Sequence, residues 1–147
     1  MNKYQFHFGD YYNDGHGRCI TIHCQSPKSK DEISEISKRV LETYPQLDDW
    51  NTGGLCVNYG ESHPDWKVLE CMNAVNFPFK RLLEACDFGD EQFTSWEDAY
   101  DNGDIFFTEE FVAEIWIWFM NAFGAELEVI EDDAVHFNYH FGYGCFD

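Results

Sequence analysis

Lys3-Tyr4-Gln5-Phe6-His7-Phe8 and Cys19-Ile20-Thr21-Ile22-His23-Cys24-Gln25 each alternate apolar and polar side chains. A period of two is the mark of a strand with one buried face. Between them runs Gly9-Asp10-Tyr11-Tyr12-Asn13-Asp14-Gly15-His16-Gly17, rich in turn formers. Residues 3–25 therefore predict a β-hairpin with a long loop. Asp10, Asp14 and Gly15 match positions 1, 5 and 6 of an EF-hand-type calcium loop, but position 3 is Tyr12, and position 12, where a bidentate Glu is needed, is Thr21. The flanks are strands rather than helices, so turn chemistry is the better reading: Gly15 and Gly17 accept positive φ.

Outward from this hairpin the periodicity changes. Ser29-Lys30-Asp31-Glu32 is a capping box, and Ile33, Ile36, Val40, Leu41 and Tyr44 follow at helical spacing until Pro45. The spacing predicts an amphipathic helix over 30–44. Residues 48–54 read as a loop and 55–59 as a short strand. Trp66, Leu69, Met72 and Val75 suggest a helix at 66–75, where a strand is the alternative, and 78–87 a further short helix. Ser95 can cap a turn or two over 95–102. Thr108, followed by Glu109 and Glu110, starts an apolar helix that Gly124 ends; Phe111 to Phe123 is interrupted only by Glu114 and Asn121. It reads as the central core helix, with Trp116 or Trp118 the alternatives for an exposed aromatic face. A homodimer through helix 108–123 follows from the second reading.

Residues 126–130 and 135–143 read as a second hairpin across Glu131-Asp132-Asp133. Val135, Phe137, Tyr139, Phe141 and Tyr143 share one face, and His136, Asn138 and His140 the other. The expected fold is a single α+β domain over residues 1–147: two β-hairpins in one antiparallel sheet, with about three or four helices packed on one face.

The charge is one-sided. The chain carries a net −19, and residues 82–147 hold 17 carboxylates with no Lys or Arg. Disordered acidic segments lack aromatics, whereas this one contains Phe93, Trp96, Tyr100, Phe111, Trp116 and Trp118, among others. The acids are thus expected on a folded surface. Such a surface repels nucleic acid and anionic membrane and attracts basic proteins. No basic-then-apolar leader precedes Tyr4, and the six cysteines form no C-x-x-C pair. Reduced thiols and a cytoplasmic location, in the host cell if phage-encoded, are the expectations.

Catalytic motifs are missing: there is no G-x-S-x-G, no phosphate loop with Lys and no H-E-x-x-H. The outer sheet face is expected to present His7, His23, His136, His140, Cys19, Glu126 and Glu128. These are zinc-ligand types, yet their spacing fits no zinc signature; positions 136 and 140 would stand roughly 13 Å apart on a strand. A metal-binding module or enzyme on His7, His23, His136 and His140 is thus a minor alternative. A field of carboxylates also disfavours a reactive thiolate. No catalytic residue, metal or cofactor is assigned.

Carboxylates at helical or strand spacing can imitate a row of phosphates. Glu110 and Glu114 lie one helical turn apart, and Glu126 and Glu128 would lie about 6.6–6.8 Å apart on one strand face. Glu97, Asp98, Asp101, Asp104, Glu131, Asp132 and Asp133 add to the candidate partner surface. In charge, size and asymmetry the chain resembles the small acidic nucleic-acid mimics that phages and mobile elements use against restriction and CRISPR nucleases. Asp10-Tyr11-Tyr12-Asn13 with His16-Gly17-Arg18 is similar to the start of some antirestriction proteins. The resemblance implies an inhibitor that plugs the basic groove of a CRISPR effector or restriction nuclease. These inhibitors share no common fold, so no site is carried over. An immunity protein against a basic nuclease toxin, with acids around an aromatic anchor, is the competing expectation.

Overall fold

The computed structural model describes residues 1–10, 19–48, 66–85, 93–102, 109–131 and 139–145. Strand β1 (Asn2–Asp10) pairs antiparallel with β2 (Cys19–Ser26), with Tyr4 opposite Cys24 and Phe6 opposite Ile22. The expected hairpin is therefore present, and its period-two pattern sorts the faces. Tyr4, Phe6 and Cys24 are fully buried, whereas Gln5, His23 and Gln25 are only half-buried. Loop 11–18, with the calcium-loop candidate Asp14, lies outside the described residues.

The remaining strands pair differently from the expected second hairpin. Strand β3 (Glu128–Val129) adds antiparallel to β2, and β4 (Tyr139–Cys145) adds parallel to β1, giving the order β3-β2-β1-β4. Among the described residues β3 and β4 thus lie on opposite edges of the sheet, and residues 135–138 of the expected second hairpin lie outside the described residues. Alternation fixes which face of a strand is apolar but not which strand lies beside it. Here Tyr139, Phe141 and Tyr143 take register positions beside Tyr4, Phe6 and Phe8. An apolar row on the first strand is thereby extended instead of a new one being started.

Among the described residues five α-helices accompany the sheet: α1 (Lys30–Thr43), α2 (Trp66–Ala74), α3 (Phe79–Ala85), α4 (Trp96–Asn102) and α5 (Glu109–Ala122), with a 3-10 turn over Pro45–Asp48. The fold is α+β. At the start of α1 the Ser29 side chain accepts the Glu32 N–H at 3.2 Å. Ile33, Ile36 and Val40 form its buried stripe. The segment 66–75 is a helix, so the strand alternative for it falls away; residues 49–65, including the strand expected at 55–59, lie outside the described residues.

Helix α5 is the spine of the molecule. It packs on β1 and β2 and against α1, burying Phe111, Ala113, Ile115, Trp116, Ile117, Phe119 and Met120. Tyr44 meets Phe119 edge-on at 5.3 Å. Two helices end in the same way. At the end of α5 Gly124 takes φ 92, the Ala125 N–H donates to Met120 O at 3.1 Å and the Gly124 N–H to Asn121 O at 3.0 Å. At the end of α2 Asn76 takes φ 59, the Phe77 N–H donates to Met72 O at 2.9 Å and the Asn76 N–H to Asn73 O at 3.0 Å. Both are Schellman closures, which satisfy the last carbonyls and turn the chain sharply. The second drops Phe77 into the core against Phe111, with ring centroids 5.8 Å apart.

From α5 the chain returns to the sheet through a polar clasp. The Asn121 side chain accepts the Leu127 N–H at 2.7 Å and donates to Leu127 O at 3.0 Å. Buried Ser26 donates to Ala125 O at 2.5 Å and accepts the Lys28 N–H at 3.1 Å. These bonds satisfy backbone groups that no ladder reaches. They place β3 beside β2, with Ile130 N–H bonded to His23 O at 2.8 Å.

Candidate partner-binding surface

The candidate acids fall into distinct groups. Glu97 is exposed on α4. Asp98, beside it, is half-buried: its carboxylate accepts the Thr94 N–H at 3.0 Å while its own N–H donates to Ser95 Oγ at 3.1 Å. It therefore serves the helix start, where an acid also complements the helix dipole. Asp101 lies on the same helix, and Asp104, Asp132 and Asp133 lie outside the described residues. Glu110, Glu128 and Glu131 are exposed.

Neither expected phosphate-like row is present as such. In the first pair Glu114 is half-buried and taken by an arginine: Arg81 Nε donates to Oε1 at 2.9 Å and lies 2.9 Å from Oε2. The same guanidinium sits 5.7 Å above the Phe111 ring. Only Glu110 of that pair faces solvent as a free-standing charge among the described residues. In the second pair Glu126 is not on a strand at all. It takes φ 52 in the turn before β3 and lies 3.6 Å from Lys28. Glu128 opens β3, where Gln25 Nε2 donates to it at 3.0 Å. The spacing argument assumed a regular strand from 126, and the Schellman turn at Gly124 displaces its start.

The cations explain this partition. Lys28 joins Glu32 and Glu126, and Lys80 and Arg81 join Glu84. Bases preceding residue 82 thus neutralise the acids nearest to them in space. Glu97, Glu110 and Glu131 form no ion pair among the described residues.

The proposed histidine face is only partly described. His23 is half-buried, with one ring nitrogen 3.3 Å from Gln5 Nε2. The backbone register sets Gln5 between His23 on β2 and His140 on β4, and His7 between Thr21 and Gly142. Backbones two strands apart lie about 9–10 Å from one another. His136 lies outside the described residues. Among the described residues no group of three or more potential ligands could hold a metal. Cys24 is buried, and burial pushes its thiol from 9.0 up to about 12. It stays protonated at neutral pH and is no nucleophile.

The feature that the acid count did not reveal lies on α5. Trp116 is 1% exposed and Trp118 is 37% exposed, which decides between the two aromatic candidates. Trp118 Nε1 donates to Val75 O at 3.0 Å, and its ring meets Phe77 edge-on at 5.5 Å. It forms a ridge between two open grooves. One, of about 360 Å³, lies toward α3 and contains Lys80, Arg81, Glu84 and Glu114. The other, of about 330 Å³, lies toward β3, with Ile22, Val129 and Asn121 in its walls and Glu110 and Glu114 as its charges. Glu110, Glu114 and Trp118 recur every four residues, so the stripe was legible as one face of a helix. The apolar residues around it concealed the pattern.

Among the described residues no helix is long and apolar enough to cross a membrane. Comparison with protein families, curated proteins and solved structures finds no match, so a functional reading stands on the chemistry of the surface alone.

Proposed function

We propose that the protein is a binding inhibitor of a basic nucleic-acid-binding protein, such as a restriction nuclease or CRISPR effector. The observation that carries the reading is the separation of charge. Cations are confined to residues 3–81, and Glu97 and Glu110 on helices and Glu131 just after β3 stand exposed without a described ion pair. A rigid anionic surface draws a cationic groove by long-range attraction, which accelerates encounter and weakens with salt. The partner in this reading is a protein; nucleic acid and anionic membrane are repelled by the same field.

A second reading, an immunity protein against a basic nuclease toxin, gains from one observation. An exposed tryptophan among carboxylates suits an aromatic anchor with an acidic surround better than it suits a phosphate-like row. Both readings place the same surface against the same class of partner.

The test is a binding and inhibition panel. Purified basic nucleases and guide-loaded effectors are titrated with the wild type and with a Glu97→Lys, Glu110→Lys, Glu131→Lys variant. The expected result is inhibition by the wild type, with an association rate that falls steeply between low and physiological salt, where screening acts beyond about 8 Å. The variant should associate more slowly at unchanged Tm. Inhibition that survives charge reversal would sink the proposal, as would a panel in which nothing binds.

A further inference from the structure

We propose that the groove between α5 and β3 receives an arginine side chain of the basic partner, stacked on Trp118 and paired with Glu110. The inference rests on the reading that the partner is a basic protein and says where and how it is gripped.

Three observations point to this occupant. First, the two grooves flanking Trp118 differ in charge. On the α3 side Lys80 and Arg81 balance Glu84 and Glu114. On the β3 side Glu110 and Glu114 have no basic residue in the groove with them among the described residues. Arg81 already serves Glu114 from the far side, which leaves Glu110 as the exposed acceptor.

Second, the groove is amphipathic. Ile22, Val129 and the Trp118 ring supply apolar walls, and Val129 is 54% exposed. An arginine matches this composition: its methylene stem covers apolar surface while its planar guanidinium stacks on an indole and offers a fork to a carboxylate. Lysine, a strongly hydrated point charge, cannot stack in that way. Among the described residues two guanidinium groups already sit over aromatic rings, Arg39 5.6 Å above Phe123 and Arg81 5.7 Å above Phe111.

Third, Trp118 is preorganised. Its hydrogen bond to Val75 O and its edge contact with Phe77 fix the ring while part of it stays open to solvent. Little rotamer freedom is left to lose on binding, the condition under which an aromatic anchor contributes most. A second copy of this chain is a poorer occupant. A two-fold contact sets the same patch against itself, which brings Glu110 and Glu114 toward their own equivalents.

The experiment uses the whole chain and heteronuclear NMR, with the Trp118 indole signal assigned through Trp118→Phe. The probes are a short peptide of alternating arginine and leucine and its lysine-for-arginine counterpart, both at low salt. The arginine peptide should shift the Trp118 indole and Asn121 side-chain amide signals. It should bind about three- to tenfold more tightly than the lysine peptide. Glu110→Lys, an exposed substitution, should weaken it by about threefold or more while Tm holds. Equal binding of the two peptides overturns the stacking. Binding that shifts the surroundings of Glu97 or Glu131 but not Trp118 overturns the groove and leaves the acidic-surface reading standing. Failure of both peptides to bind overturns both. Concentration-dependent dimerisation that buries Trp118 in the free protein assigns the groove to a second copy and overturns the inference.

Discussion

Replacing Asn121 isolates the bonds that carry the chain from the core helix to the sheet. The side chain makes two hydrogen bonds to one residue, accepting from Leu127 N–H at 2.7 Å and donating to Leu127 O at 3.0 Å, both partly buried. A net hydrogen bond contributes about 0.5–1.5 kcal/mol, so Asn121→Ala should cost about 1–3 kcal/mol. For a chain of 147 residues each kcal/mol moves Tm by about 2–4 °C, and the central estimate is a fall of about 4–8 °C. Asn121→Asp sharpens the test. It keeps the acceptor for Leu127 N–H but sets a carboxylate oxygen against Leu127 O. Protonating that carboxyl restores a donor, so the folded state raises its pKa. Stability relative to Asn121→Ala is therefore present at low pH and lost as pH rises through the folded pKa. Differential scanning calorimetry of both variants from acid to neutral pH measures each term. An alanine variant within about 0.5 kcal/mol of wild type, or an aspartate variant whose difference from alanine ignores pH, refutes the clasp.

Cys24 should resist alkylation in the native state at neutral pH and react once the protein is unfolded. Because its pKa rises from 9.0 to about 12 on folding, its contribution is complete below pH 9 and declines above it. By pH 10 the loss is on the order of 1 kcal/mol, read as the difference in unfolding free energy between wild type and Cys24→Val over pH 8–10; parallel curves would refute it. Gly124→Ala should cost about 1–2 kcal/mol from backbone strain alone, since φ is +92 and nothing lies within 4 Å of the added methyl. Asn76→Gly, at φ 59, should be neutral or stabilising; urea titration of both variants checks the two expectations.

What could be read from the sequence was local. Period two at Tyr4–Phe8 and Ile20–Cys24 set the first hairpin and its buried face, and Ser29, Ser95 and Gly124 marked helix ends at the positions where the backbone uses them. What could not be read was long-range. Nothing in Tyr139–Cys145 says that this strand joins the far side of β1, because alternation is the same for either neighbour. The fate of the acids was hidden for a similar reason: Arg81 and Glu114 are 33 positions apart, and only the packing of α3 beside α5 makes them a pair. Charge counting treats every carboxylate alike, whereas space divides the described ones into those that pair within the fold and those exposed without a described ion pair. The role of Asn121 is not legible, because a lone polar residue on an apolar helix carries no sign of the backbone it will bind.

The β1–β4 ladder joins Tyr4 to Tyr139 across nearly the whole chain. Loop-closure entropy grows with the logarithm of loop length, so this contact is the most expensive in the sheet to bring about. During synthesis one margin of β1 therefore waits bare long after β2 has zipped onto the other. Pulse-labelled hydrogen exchange should find the amides of Tyr139–Cys145 protected after those of Cys19–Ser26. Until then the nascent molecule carries an apolar strand edge, and its abundant negative charge helps keep unfinished copies apart.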